Sequence, residues 1–414
     1  MTRSDNRGFH YGFIVVVCCC LMMGVNIGIA FSCAGIFYKP VSSSLGVSVG
    51  EFGLYMSIMY IASTLILPLG GRLIERYSAR WLLSGSSALM GITLCGMGFC
   101  TSLWEFYVAG VLLGISVAFL LYLSFPTLIN RWFSVKVGLL MGICSAASGV
   151  GGIIFNPIGA AVITNYGWRW AYIAFGFLVL LVNTPLLLLF LRDRPSDKGL
   201  LPFGSEKQGL STKGNGKMTG NGIPVNKALK MPVFYGVLFF SFLMMAMSTL
   251  NLFIPNYVTS LDFTLEQGAL AASAVMAGVM IGKLALGHIN DRNCLAGVLV
   301  TTLGGISGLL LMIEGNWGLA AIVTGAFLFG WAYAGVTVQT AMLTRTVFGS
   351  LDYARIYSYM SMALAAGGAL ASGGWGLIVD ATSYKFIFLC GICMLAVCTV
   401  IGVHALRIRK TAMI

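Results

Sequence analysis

Charge is the scarcest property of this chain: Asp, Glu, Lys and Arg make up 9% of its 414 residues, against roughly 25% in an average soluble domain. With 58% of the residues hydrophobic, a soluble enzyme is excluded. Acids are scarcer than bases, 13 against 25, which leaves a net charge of +12. So thin a basic complement cannot line a stripe along a phosphate backbone, and a nucleic-acid partner is excluded as well. Histidine is nearly absent. His10, His288 and His404 fall at the ends of apolar stretches, beside no nucleophile or metal-ligand cluster, so no catalysis, metal or cofactor is expected. The phosphate loop G-x-x-x-x-G-K-[ST] is missing, which removes nucleotide-driven pumping. No N-x-[ST] sequon occurs, in keeping with a bacterial inner membrane. The eleven cysteines fall mostly inside apolar stretches, without metal-ligand spacing, and read as small packing residues.

What the chain does have is apolar length. A bilayer core needs about 20 apolar residues per helix, and stretches of that order fall near 12–37, 52–71, 81–101, 105–128, 137–163 and 170–191. Six more follow near 233–257, 266–287, 294–313, 317–340, 356–379 and 384–406. The fold class expected is therefore an all-α polytopic membrane protein with twelve transmembrane helices. The first stretch is too long for a signal-peptide core and lacks a cleavage site before Lys39, so it reads as an uncleaved helix. Prolines 68, 126, 157, 185 and 255 lie inside stretches, where they bend helices and free backbone carbonyls. If both termini are cytoplasmic, 21 of the 25 Lys and Arg lie on that side, which sets the topology and explains the net charge as attraction to anionic lipid. The polar segment 192–232 reads as a flexible cytoplasmic linker between an N-terminal bundle, 1–191, and a C-terminal bundle, 233–414. A monomer is the expectation.

The two halves repeat. Gly71-Arg72-Leu73-Ile74-Glu75-Arg76 and Gly287-His288-Ile289-Asn290-Asp291-Arg292 both read G-x-[LI]-x-[DE]-R after the second stretch of their half. A second cationic stop follows the fourth stretch of each half, at Arg131 and Arg345. The fifth stretches are both loaded with small residues, which lets helix backbones approach closely. These features resemble the major facilitator superfamily over essentially the whole chain, with Glu75 where that family usually has Asp and Ser78 where it usually has Gly. Tyr11-Gly12-Phe13, Gly35-Ile36-Phe37-Tyr38-Lys39-Pro40, Asn130-Arg131-Trp132-Phe133 with Gly138, and Gly167-Trp168-Arg169 are similar to the monocarboxylate and oxalate/formate branch. The resemblance implies two pseudo-symmetric six-helix bundles that rock about a central site, alternately open to each side.

Within that scheme Glu75 and Asp291 are candidate gate residues, together with Gly71, Arg76, Arg131, Gly287, Arg292 and Arg345. With the inner side closed, Glu75 is expected to meet the positive helix end near Tyr353 to Ile356, and Asp291 the one near Lys136 to Gly138, with Arg131 and Arg345 positioning the carboxylates.

Lys283 is the one cation inside a stretch and away from its outermost residues, with no acid within five positions. A charge there costs at least about 2.5–3.5 kcal/mol near the bilayer centre, so it is a functional-site candidate by default. The branch carries an arginine at the matching position; lysine keeps the charge and loses the bidentate fork. Tyr122 and Trp331 match pocket residues of the branch. Tyr333, Ser32, Asn26, Asn251 and Asn256 are further candidates by depth alone. Oxalate carriers of the branch place a second cation on the eleventh span, where this chain has Leu364, and another cation position on the first span holds Ser32. One fixed charge neutralises one carboxylate, so the expected substrate is a short monocarboxylate such as lactate, pyruvate, formate or acetate. Proton-coupled members carry an acid four positions before the cation, and Val279 stands there instead. Both proton symport and exchange for a counter-anion stay open. The competing readings are an efflux carrier for hydrophobic compounds, disfavoured for cations by the lack of any carboxylate inside a span, and a transporter-like sensor.

Overall fold

Ser48 and Thr264 begin equivalent helices. Each hydroxyl accepts from the backbone N–H three residues on, Glu51 or Gln267, whose side chain returns a bond to the cap. The two capping boxes lie 216 residues apart, 264 minus 48, the same offset that separates Gly71 from Gly287. The repeat thus extends from a loop motif to the start of the helix that precedes it.

The computed structural model describes residues 10–204, 222–314, 318–349 and 351–412; the side chains of Pro68, Gly71, Arg72, Glu75, 122–125, Gly138, Ala354 and everything from 409 onward lie outside that description. In chain order the long helices are α1 Gly12–Leu45, α2 Val49–Arg76, α3 Ala79–Met97, α4 Leu103–Trp132, α5 Val137–Tyr166 and α6 Trp168–Phe190. Then follow α7 Pro232–Thr259, α8 Leu265–Arg292, α9 Cys294–Ile313, α10 Leu319–Phe348, α11 Tyr353–Ala381 and α12 Tyr384–Ala412. Among the described residues, eleven helices are long and apolar enough to cross a membrane. The remaining one, α3, spans 19 residues and buries Ser84, Ser86, Ser87 and Thr93. Most helices outrun the apolar stretches. At 28 to 30 residues they reach about 42–45 Å, the thickness of a bilayer with its headgroup layers.

The helices divide into α1–α6 and α7–α12. Within each set packing is dense, and the sets meet chiefly along α2 against α11, along α5 against α8, and where α1 touches α7. Exchanging the halves turns α2 with α11 into α8 with α5, so the interface has the two-fold symmetry that the repeat requires.

Several helices are locally rewound. α1 carries a π-type segment, Met22–Ser32, and a 3₁₀ turn, Ala34–Phe37; α7 carries a 3₁₀ turn at Thr249–Phe253. Pro126 and Pro185 follow the π-type segments Ala118–Leu123 and Val179–Asn183, where the missing proline N–H leaves a carbonyl free.

The linker expected to be flexible is anchored at both ends. Phe203 bridges to Phe133 and lies 5.3 Å from the rings of His10 and Phe13, and Gly222 bridges to Gly349. Aromatic packing holds the first end, and hydrogen bonds from the Ile223 N–H to the Phe348 carbonyl and from the Val225 N–H to the Asp352 carboxylate hold the second; the Gly- and Lys-rich middle lies outside the described residues.

Candidate functional site

The arginine-bearing loops mark one end of the molecule, here the basic end. At the opposite end the two sets are sealed together. The Asp380 carboxylate accepts from the Gly50 N–H at 2.9 Å, and Ser57 Oγ lies 2.9 Å from Ser372 Oγ while accepting from the Gly373 N–H at 2.9 Å. The Lys39 N–H donates to Asn256 Oδ1 at 3.3 Å. Glycine makes the approach possible: a Cβ at Gly50 would lie 2.6 Å from the Leu377 amide nitrogen.

Along α5 and α8 the contacts descend by helical turns from that sealed end. Ser273 Oγ donates to the Ile153 carbonyl at 3.4 Å, Gly152 and Gly149 face Met276 and Met280, and then Lys283 meets Ser145. One turn further, Gly142 and Gly287 have open space where a side chain would project. Asp291, Arg292, Lys136 and Arg345 are exposed at this end. The hydrogen bonds that join α5 to α8 thus run from the sealed end as far as Lys283 and Ser145.

Lys283 stands at the innermost contact. It is half-buried, and Nζ donates to Ser145 Oγ at 2.9 Å and to the Ser145 carbonyl at 3.2 Å, reaching from the C-terminal set to the N-terminal one. No ion pair involves Lys283 among the described residues. Its neighbour Gly282 lets α10 come close: a Cβ there would sit 3.3 Å from the Trp331 Cα. Trp331 packs against Gly282 and against Gly304 of α9, with its indole Nε1 buried and unpartnered.

The other expected site residues distribute unevenly. Ser32 is buried, its carbonyl accepts from Asn156 Nδ2 at 3.2 Å, and it faces Gly152 in the α5 contact layer. Asn251 and Asn256 are buried on α7, each with one polar atom unpartnered. Tyr333 is half-buried against the core. Asn26 is committed elsewhere. Asn183 Nδ2 donates to its Oδ1 at 2.6 Å, and its own Nδ2 donates to Ser87 Oγ at 3.1 Å, tying α1, α3 and α6 together. The side chain of Tyr122 lies outside the described residues, as do those of Gly71 and Glu75. Of the gate residues, Arg76 is exposed at the end of α2. Arg131 pairs with Asp193 and donates to the Ile74 carbonyl at 3.3 Å.

Ser145, Asn156, Asp193 and Asp380 are not marked as site residues by the sequence. Ser145 and Asn156 were hidden among the small residues of the fifth stretch, and no local pattern marks the two acids. The capping box at Ser48 was a usable signal for where α2 begins.

Over 266 residues the chain is 27% identical to the probable transporter MCH2 of Saccharomyces cerevisiae, covering 64% of this chain and 47% of that protein. Over 427 residues it is 24% identical to monocarboxylate transporter 12 of Rattus norvegicus, covering 96% and 86%. The chain spans about half the length of the first of these relatives. Among solved structures, the nucleoside transporter NupG superposes with a TM-score of 0.74 at 13% identity, covering 94% of this chain and 99% of that one. A bacterial homologue of the human lysosomal transporter Spinster, inward-facing and occupied, gives 0.68 at 14% identity, covering 98% and 97%. Those two likenesses establish the fold. Residues 16–314 match the Major Facilitator Superfamily, and the chain belongs to that superfamily of membrane transporters.

Proposed function

We propose that this transporter carries small organic anions, short monocarboxylates above all, by alternating access, with Lys283 receiving the substrate carboxylate. The observation that carries the reading is the position of Lys283: an ammonium one turn inside the apolar stretch of α8, between the two helix sets, whose hydrogen-bond partners are both uncharged. An anion is the natural complement to such a charge, since the isolated cation is unstable in the membrane interior. In the same reading Trp331, packed against the neighbouring Gly282 with its indole N–H unpartnered, supplies a donor for a second carboxylate oxygen and an apolar face for a short alkyl chain. The relatives named monocarboxylate transporters support the same substrate class.

In this reading both termini and the basic end are cytoplasmic, and the sealed opposite end faces outward. The conformation is then open to the cytoplasm, with the outer gate held by Asp380 on Gly50, Ser57 with Ser372, and Asn256 on Lys39. Closing the basic end and parting these contacts exposes Lys283 to the other side. Transport is driven by proton symport or by exchange of one anion for another.

Reconstituted carrier provides the test. Lys283→Gln should abolish uptake of labelled lactate, pyruvate, formate and acetate, while Lys283→Arg keeps part of it. Normal uptake by the Gln variant overturns the assignment.

A further inference from the structure

We propose that Ser145 is an internal stand-in for the substrate carboxylate: it holds the Lys283 ammonium while the site is empty, and a bound anion takes its place. The proposal rests on the reading of Lys283 as the anion site and goes beyond it, because it names what the cation does between substrates.

Two oxygens of one residue, Oγ at 2.9 Å and the carbonyl at 3.2 Å, converge on Nζ much as the two oxygens of a carboxylate would. An ammonium has three donors and no acceptor; two are used here, and one is left over. The same Ser145 carbonyl also accepts from Ser148 Oγ at 2.9 Å, so Lys283 shares this acceptor. Both bonds are to neutral oxygens. The ammonium is charged in either case, but a carboxylate adds the attraction of an opposite charge that a neutral oxygen lacks, so an arriving carboxylate displaces Ser145, and it gains only the difference.

Ser145 and Lys283 belong to opposite helix sets, and theirs is the hydrogen-bonded contact between α5 and α8 nearest the basic end among the described residues. Two consequences follow. The substrate competes with Ser145 for the ammonium, which weakens apparent affinity. The empty carrier does not hold a bare charge while it reorients, and the four-carbon lysine stem can follow the oxygens as the helices tilt. Ser145 thereby permits return of the unloaded carrier, and with it net flux as well as exchange.

The test uses Ser145→Ala and Ser145→Thr in full-length carrier in proteoliposomes, with labelled lactate, pyruvate, formate and acetate as probes. The alanine variant removes the hydroxyl and keeps the carbonyl, so it should lower KM by about three- to tenfold, on the order of one hydrogen bond. Net efflux into anion-free buffer should fall several-fold relative to exchange, and Ser145→Thr, which keeps the hydroxyl, should restore both quantities. A raised KM, or an unchanged KM with an unchanged ratio of net flux to exchange, overturns the stand-in role. If Lys283→Gln is inactive in that case, the anion-site reading stands; if Lys283→Gln transports normally, that reading falls, and the stand-in with it.

Discussion

The carboxylate of Asp380 accepts a hydrogen bond from the backbone N–H of Gly50 at 2.9 Å, so the C-terminal helix set caps the first turn of α2 in the N-terminal set. A charged acceptor at a helix N-terminus contributes about 1 kcal/mol, and more in partly buried geometry. Asp380→Asn should therefore weaken the closed end and raise amide exchange at residues 49–54 and 376–381 by about five- to tenfold. Unchanged exchange in both segments would show that the contact does not hold the gate.

At the basic end the expected lock involves Glu75 and Asp291, and Asp291 is exposed at the end of α8. Neutralising both, as Glu75→Gln with Asp291→Asn, should favour the state open at the basic end while the protein still folds. A lock exposed to water in one state is worth on the order of 1 kcal/mol, so the population shifts severalfold. Cysteine labelling on the two faces measures the bias, and identical labelling in variant and parent rules the lock out.

Substrate charge is the next expectation. No Asp, Glu, Arg or second Lys accompanies Lys283 in its contacts among the described residues, so a second carboxylate would go unpaired in a low-dielectric cavity, at a cost of several kcal/mol. Lactate, pyruvate, formate and acetate should compete for uptake at neutral pH, and oxalate, malonate and succinate should compete poorly. A dicarboxylate that outcompetes every monocarboxylate defeats the single-charge argument.

Asn26 separates structural from substrate-binding polarity. Its amide is spent on Asn183 and Ser87. Asn26→Ala should lower the melting temperature in detergent by an amount equivalent to about 1 kcal/mol, with little change in KM. A large KM change at unaltered stability would return Asn26 to the substrate pocket.

The sequence alone determined the membrane class, the helix repeat and the isolated cation, because the bilayer imposes one-dimensional constraints. Each span needs its own run of apolar residues, and a charge such as Lys283 inside one is conspicuous without knowledge of its neighbours. The G-x-[LI]-x-[DE]-R loops after α2 and α8 were legible for the same reason: they are local. Which polar groups meet was decided only by tertiary structure. Lys283 and Ser145 are 138 residues apart, Asn26 and Asn183 are 157 apart, and Gly50 and Asp380 are 330 apart. Asn26 and Asn256 look alike along the chain, yet one ties three helices within a single set and the other joins the two sets. Backbone hydrogen bonds within a membrane helix are satisfied without reference to its neighbours, so the sequence reports each helix separately. The partner of a buried side chain depends on which helix faces it, and that is set by packing.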